Sequence, residues 1–181
     1  MSRRLFIDPG TRKLGYAIFT EGAKSVWLSR SSMIAAPRKK RWEKRVDFMV
    51  RAVVRVLKEK QRTSVGAVVI EMPQVFFSAK GQAANNSGSV LKIVAVVFAL
   101  RQALLERGYE VRLVKVSAWK GQTPKHITAK RVQRHWGREM TAVEKVKGGD
   151  EVDACGIGDY WYRRGPGKGL KIVRNDEQTR S

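Results

Sequence analysis

Apolar and polar positions change period several times along the chain, and each change marks an element. Residues 3–8 (Arg-Arg-Leu-Phe-Ile-Asp) form a short strand-like run that ends on a carboxylate and then Pro9-Gly10. Leu14 to Phe19 and Ser25 to Ile34 give two further strands after short turns, so the first part of the chain predicts an antiparallel meander. From 38 to 62 the period becomes helical. Val46, Met49, Val50, Val53, Val54 and Leu57 line one stripe, and Lys44, Arg45, Arg51, Arg55 and Lys58 crowd the other face. Val65 to Ile70 shows no alternation, as expected of a central strand covered on both faces, and it too is followed by a carboxylate, Glu71.

Met72 to Ser89 is polar, rich in Gly and Asn, and predicts a long loop. A helix follows from Val90 to Arg107, apolar on nearly every side, which requires cover on more than one face. Burial between the sheet and another helix would supply that cover, and so would a second copy of the chain. Val111 to Val116 predicts a strand, Pro124 to Arg138 a basic helix, and Asp150 to Arg163 a last helix. The order βββαβαβαα implies an α/β fold, one mixed five-stranded sheet with helices on its faces. Residues 1–164 would form a single domain, and 165–181, opening on Gly-Pro-Gly-Lys-Gly, a basic flexible tail.

Charge narrows the function. The 181 residues carry 37 Lys+Arg against 16 Asp+Glu, a net +21, far more than solubility requires. Such a field gathers polyanions, and nucleic acid is the first partner to consider. Acidic membrane surfaces and plain solvation explain less. The apolar run from Val90 to Leu100 contains Lys92 and is shorter than the about 20 residues needed to span a bilayer. The N-terminus has no secretory pattern, and one cysteine, Cys155, excludes a disulfide framework or a cysteine-rich zinc site. A soluble protein acting in the cytoplasm, close to the nucleoid, is expected.

In a chain this basic, the acids are the informative exceptions. Asp8 and Glu71 each end a strand, and if those strands are neighbours both project from one end of the sheet, where sites in α/β folds gather. Asp150 and Asp153 lie three apart at the start of the last helix, on one face, with Glu151 pointing elsewhere. Each has a simpler use: Asp150 as a helix cap, Asp8 as a turn residue. Glu71 is harder to assign to structure alone. Together, four converging carboxylates would repel by about 4 kcal/mol per pair at about 4 Å and an effective dielectric of 20. Divalent cations with oxygen ligands, Mg²⁺ or Mn²⁺, remove that cost, and two of them can drive phosphodiester hydrolysis.

The motifs Phe6-Ile7-Asp8-Pro9-Gly10-Thr11 with Gly15-Tyr16-Ala17, Val69-Ile70-Glu71, and Gly149-Asp150-Glu151-Val152-Asp153-Ala154 resemble the three acidic motifs of RuvC-type Holliday junction resolvases, in order and spacing over about residues 3–163. The resemblance implies a ribonuclease H-like fold. It also implies a homodimeric, Mg²⁺-dependent endonuclease that makes symmetric nicks in four-way DNA junctions with two ions per active site. Catalytic and metal-binding acids would be Asp8, Glu71, Asp150 and Asp153, and the helix from Val90 to Arg107 would supply the two-fold contact. The family places an aromatic wedge after the second acid, which falls on Phe76 or Phe77, with Lys80 beside them on DNA. Its phosphate-binding lysines fall on Lys120 and Lys125, with Lys130 competing for the second role and Arg131 beside it. The Trp119-Lys120-Gly121 wording and the longer tail are similar to phage-encoded members, which also cut other branched DNA.

Three other readings compete. A non-catalytic DNA-binding protein would need no aligned acids. Another nuclease of the same fold would share them and differ in substrate. The ATPase class whose phosphate loop begins Asp-x-Gly-Thr needs two such domains, more than this length holds. His126 and His135 fit phosphate contact or solvation, and Cys155, Gly156 and Gly158 fit close packing on the sheet.

Overall fold

A computed structural model describes residues 1–58, 65–74, 88–121, 123–136 and 149–173. Three antiparallel strands open the chain: β1 (Ser2–Asp8), β2 (Lys13–Glu21) and β3 (Ser25–Ala35). Helix α1 (Trp42–Lys58) then crosses to β4 (Val65–Met72), which lies parallel to β1. Helix α2 (Ser89–Leu105) leads to β5 (Glu110–Lys115), parallel to β4 at the sheet edge. A four-residue helix α3 (Val116–Trp119), then α4 (Lys125–Trp136) and α5 (Asp150–Arg163), complete the helices. Short α3 was not foreseen; it grows directly out of β5.

The sheet is mixed and has six strands, in the order β5-β4-β1-β2-β3-β6. The expected count of five is therefore corrected by β6 (Lys171–Ile172), which pairs in parallel with Ser25 and Val26 of β3. The physical reason is local. Gly167 and Gly165 turn tightly against Trp161, where a β-carbon on Gly167 would fall 2.5 Å from the indole ring. That turn carries Leu170 and Ile172 onto the core, and Lys171 N–H donates to Lys24 O at 2.8 Å. Residues 165–173 thus pack on the domain; the rest of the expected tail lies outside the described residues.

Strand alternation divides the interior into two cores. Leu5, Ile7, Val68 and Ile70 point toward Met49 and Val53 of α1 and Val96, Val97 and Leu100 of α2. Phe6, Phe19, Val69 and Leu28 point the other way, toward Trp119, Val132 and Trp136 and Val152, Ile157 and Tyr162 of α5. β4 feeds both cores, which is why its sequence shows no alternation. Helix α1 buries Met49 and Val53 of the expected stripe, and Val56 in addition, and turns Lys44, Arg51, Arg55 and Lys58 outward. Helix α2 buries Val96, Val97, Leu100 and Leu104, while Leu91, Phe98 and Leu105 remain 72%, 48% and 39% exposed. Among the described residues, no helix is long and apolar enough to cross a membrane.

Small residues let α5 sit close. A β-carbon on Gly158 would fall 2.3 Å from the Phe19 ring, and one on Gly156 would fall 2.7 Å from Trp119. Cys155, next to Gly156 in the chain, is fully buried. Two polar contacts fix the helix further. Glu151, 1% exposed, accepts from Ser31 Oγ at 2.5 Å and anchors α5 to β3. Asp159, 4% exposed, accepts from Trp136 Nε1 at 3.0 Å, tying α4 to α5, and pairs within α5 with Arg163 Nε at 2.8 Å.

The N-terminal end of β1 is closed by a separate network. Glu21 receives Ser2 Oγ at 2.6 Å, Tyr162 Oη at 2.7 Å and Arg4 Nε at 3.1 Å. Burial alone would raise the Glu21 carboxyl, but the hydrogen bonds from Ser2 and Tyr162 and the charge of Arg4 hold it below its ordinary value. Burial, with the Glu21 carboxylate it donates to, pushes the Tyr162 phenol above its own.

Candidate active site

The site is assembled at the far end of β1, where apolar strands give out into carboxylates. β1 and β4 run parallel with Phe6 beside Val69 and Ile7 beside Ile70. One step further brings Asp8 beside Glu71. Strand alternation puts Asp8 on the same face as Phe6, and Glu71 on the same face as Val69, toward α5.

Gly15 brings in the third motif. It pairs with Asp8 across the β1–β2 ladder, and its missing side chain makes room for the start of α5. A β-carbon there would fall 1.8 Å from the backbone oxygen of Asp150. Asp150 is thereby laid against the strand end that carries Asp8. Asp153, one helical turn on and 8% exposed, faces the same end. The sequence therefore separates these acids by up to 145 positions, and the fold gathers their elements at one sheet end.

Helix α3 supplies the donors around them. Trp119 Nε1 donates to Glu71 Oε2 at 2.6 Å. Lys120 Nζ lies 3.2 Å from Asp153 Oδ1, with both side chains largely buried. The ammonium also stands 5.2 Å from the Trp119 ring centre. Lys120 is thus brought to Asp153. Trp119 was not among the expected site residues, because its partner lies 48 positions away and a tryptophan after a strand reads first as core.

The other expected residues are distributed as follows. Lys130 and Arg131 are exposed on α4, beside Ile127, Arg134 and His135, along an open groove of about 410 Å³. Arg131 also borders a small cavity with Lys120, Thr123, Asp159 and Arg164, so the basic face of α4 continues to the acids. Lys125 is the first residue of α4. Phe76, Phe77 and Lys80 lie outside the described residues.

Carboxylates at this sheet end are oxygen donors of the kind that suits a hard divalent cation. Among the described residues, no three acidic, histidine or cysteine side chains stand together as a ready-made ion cage. Glu71 and Asp153 instead face the donors Trp119 and Lys120. The oxygen-donor chemistry of these residues fits Mg²⁺ or Mn²⁺.

A family model described as crossover junction endodeoxyribonuclease RuvC matches residues 5–154. No curated protein sequence matches the chain. Among solved structures, it is similar to Thermus thermophilus RuvC in complex with a Holliday junction substrate, at 19% identity and TM-score 0.65, over 94% of this chain and 100% of that one. A second Thermus thermophilus RuvC structure matches at 22% identity and TM-score 0.63, over 93% and 99%. The fowlpox virus Holliday junction resolvase matches at 13% identity and TM-score 0.55, over 88% and 97%. These likenesses agree on the ribonuclease H-like fold expected from the motifs. The family match runs from the first core residue of β1 into the first turn of α5 and takes in Asp8, Glu71, Asp150 and Asp153; the chain belongs to the RuvC family of crossover junction endodeoxyribonucleases.

Proposed function

We propose that this chain resolves four-way DNA junctions by paired phosphodiester hydrolysis, acting as a homodimer with divalent cations. The observation that carries the reading is the register that sets Asp8 beside Glu71, with Gly15 admitting the Asp150 end of α5 to the same place. Three acidic motifs on one sheet end, inside a surface of net charge +21, suit a polyanionic substrate cut at an acidic centre.

Asp8, Glu71, Asp150 and Asp153 would hold two Mg²⁺ ions, which when bound supply an activated water and charge neutralisation at the departing 3′-oxygen. The chain's own groups do the rest. Lys120, 3.2 Å from Asp153, would place its ammonium on the scissile phosphate. Lys125, Lys130 and Arg131 would bind the backbone of a duplex arm along α4, where each phosphate contact displaces counterions. Phe76 or Phe77, with Lys80, would act at the junction centre, by resemblance to the family. The seven-residue spacing of Leu91, Phe98 and Leu105 on α2 leaves an apolar stripe for the two-fold contact, which would set two active sites on opposed strands. The enzyme would work on DNA in the cytoplasm.

Cleavage of a four-way junction, a flap, an RNA–DNA hybrid and linear duplex, with and without Mg²⁺, tests the reading. Asp8→Asn should bind the junction like the wild type and lose cleavage. Full cleavage by that variant overturns the site; equal cleavage of linear duplex overturns the substrate.

A further inference from the structure

We propose that Trp119 is a positioning residue for Glu71, holding that carboxylate in the orientation from which it receives a divalent cation. The inference rests on the reading that Glu71 is a cation ligand.

The geometry is specific. Trp119 Nε1 lies 2.6 Å from Glu71 Oε2, a short bond for a neutral donor on a carboxylate. The indole is 4% exposed and braced in place. Gly156 of α5 lies so close to the ring that a β-carbon would fall 2.7 Å from it. Arg164 Nη2 donates to the Trp119 carbonyl at 3.4 Å. The ring therefore cannot drift, and a fixed donor restricts how the carboxylate can turn.

The choice of side chain is informative. An indole N–H only donates and carries no charge. An arginine or lysine at the same distance would also fix Glu71, but its charge would compete with an incoming cation. Lys120 is such a competitor at Asp153, 3.2 Å from Oδ1. The two contacts thus differ: Trp119 could stay on Glu71 with a cation bound, whereas Lys120 would have to leave Asp153 Oδ1. Partners of this kind, behind a metal ligand, typically change metal affinity by about 10- to 100-fold when removed.

The test uses the full-length chain and Trp119→Phe, which keeps an aromatic ring and removes the donor. Calorimetric titration with Mn²⁺ alone should show affinity weakened about tenfold or more. Junction binding in EDTA and the thermal midpoint should stay close to wild type. In the wild-type protein, the side-chain N–H resonance assigned to Trp119, one of five tryptophans, should move on adding Mg²⁺ and also in Glu71→Gln. Wild-type Mn²⁺ affinity in Trp119→Phe overturns the proposal. If that variant does not fold, a Trp119 resonance unmoved by both Mg²⁺ and Glu71→Gln overturns it instead. Should Glu71→Gln cleave junctions normally, the reading of the acids themselves fails; loss in Glu71→Gln beside normal Trp119→Phe removes the positioning role alone.

Discussion

The α-carbon of Gly15 faces the backbone of Asp150 so closely that a β-carbon would lie 1.8 Å from its carbonyl oxygen and 2.5 Å from the next backbone nitrogen. The obstructing atoms are backbone, so no side-chain rotation relieves the clash. Gly15→Ala should push the start of α5 away from β1 and separate Asp150 and Asp153 from Asp8. Overpacking of this kind costs about 1–3 kcal/mol, and at about 2–4 °C per kcal/mol for a chain of this size the melting midpoint should fall by several degrees. Junction cleavage should fall at least tenfold while junction binding, carried by exposed cations, stays within about threefold.

A second expectation concerns the basic face of α4. Lys130 and Arg131 are exposed there, side by side along the groove that also holds Arg134. If both meet phosphates, Lys130→Gln/Arg131→Gln should weaken junction binding and lower the slope of log affinity against log salt by about 2, near 0.9 per lost contact. A filter-binding or anisotropy series in NaCl measures it. An unchanged slope places the DNA elsewhere.

The exposed stripe on α2 gives a third. Phe98 is 48% exposed among Leu91 and Leu105, and none of these three is needed to fill the core. Phe98→Asp should leave the thermal midpoint of the fold within a few degrees and shift the chain from dimer to monomer in sedimentation, at micromolar concentration. A junction should then receive single rather than paired nicks.

The network at the N-terminal end of β1 predicts a stability profile with two shoulders. Glu21 titrates below its unfolded value, so its contribution is present above pH 4.5 and fades as pH falls past it. Tyr162 titrates above its unfolded value near 10, so its contribution is present below that pH and fades as pH rises. Glu21→Gln should flatten the acid side of a melting-midpoint profile, and Tyr162→Phe the alkaline side. Cleavage at neutral pH should change little in either, since this network sits at the opposite end of β1 from Asp8.

Several features were legible in the residues because they depend on local pattern. Phe6-Ile7-Asp8 and Val69-Ile70-Glu71 read as strands ending on acids, since an apolar run and its terminating carboxylate are contiguous. Most of the stripe on α1, though not Val56, was legible because helical period is a property of neighbours within one turn. Residues whose role depends on distant partners did not read. Glu151 reads only as pointing elsewhere than Asp150 and Asp153, and its partner Ser31, 120 positions earlier, is set by the packing of α5 on β3. Lys171 and Ile172 follow a glycine-rich run and form a strand because Val26 offers an open edge. Trp119 reads as an ordinary core aromatic until Glu71 is beside it.

By itself the sequence determined which elements form and which residue types each carries: acids at strand ends, a basic helix, glycines at the third motif. These follow from backbone propensity and from hydrophobic period, which act over a few residues. Tertiary structure decided the site. Parallel pairing of β1 with β4 set Asp8 beside Glu71, the absent side chain of Gly15 let α5 approach, and α3 brought Trp119 and Lys120 to the two acids. Those are relations of distance and direction between segments far apart in the chain, and a carboxylate's surroundings, unlike its position in a strand, are fixed only when the segments pack.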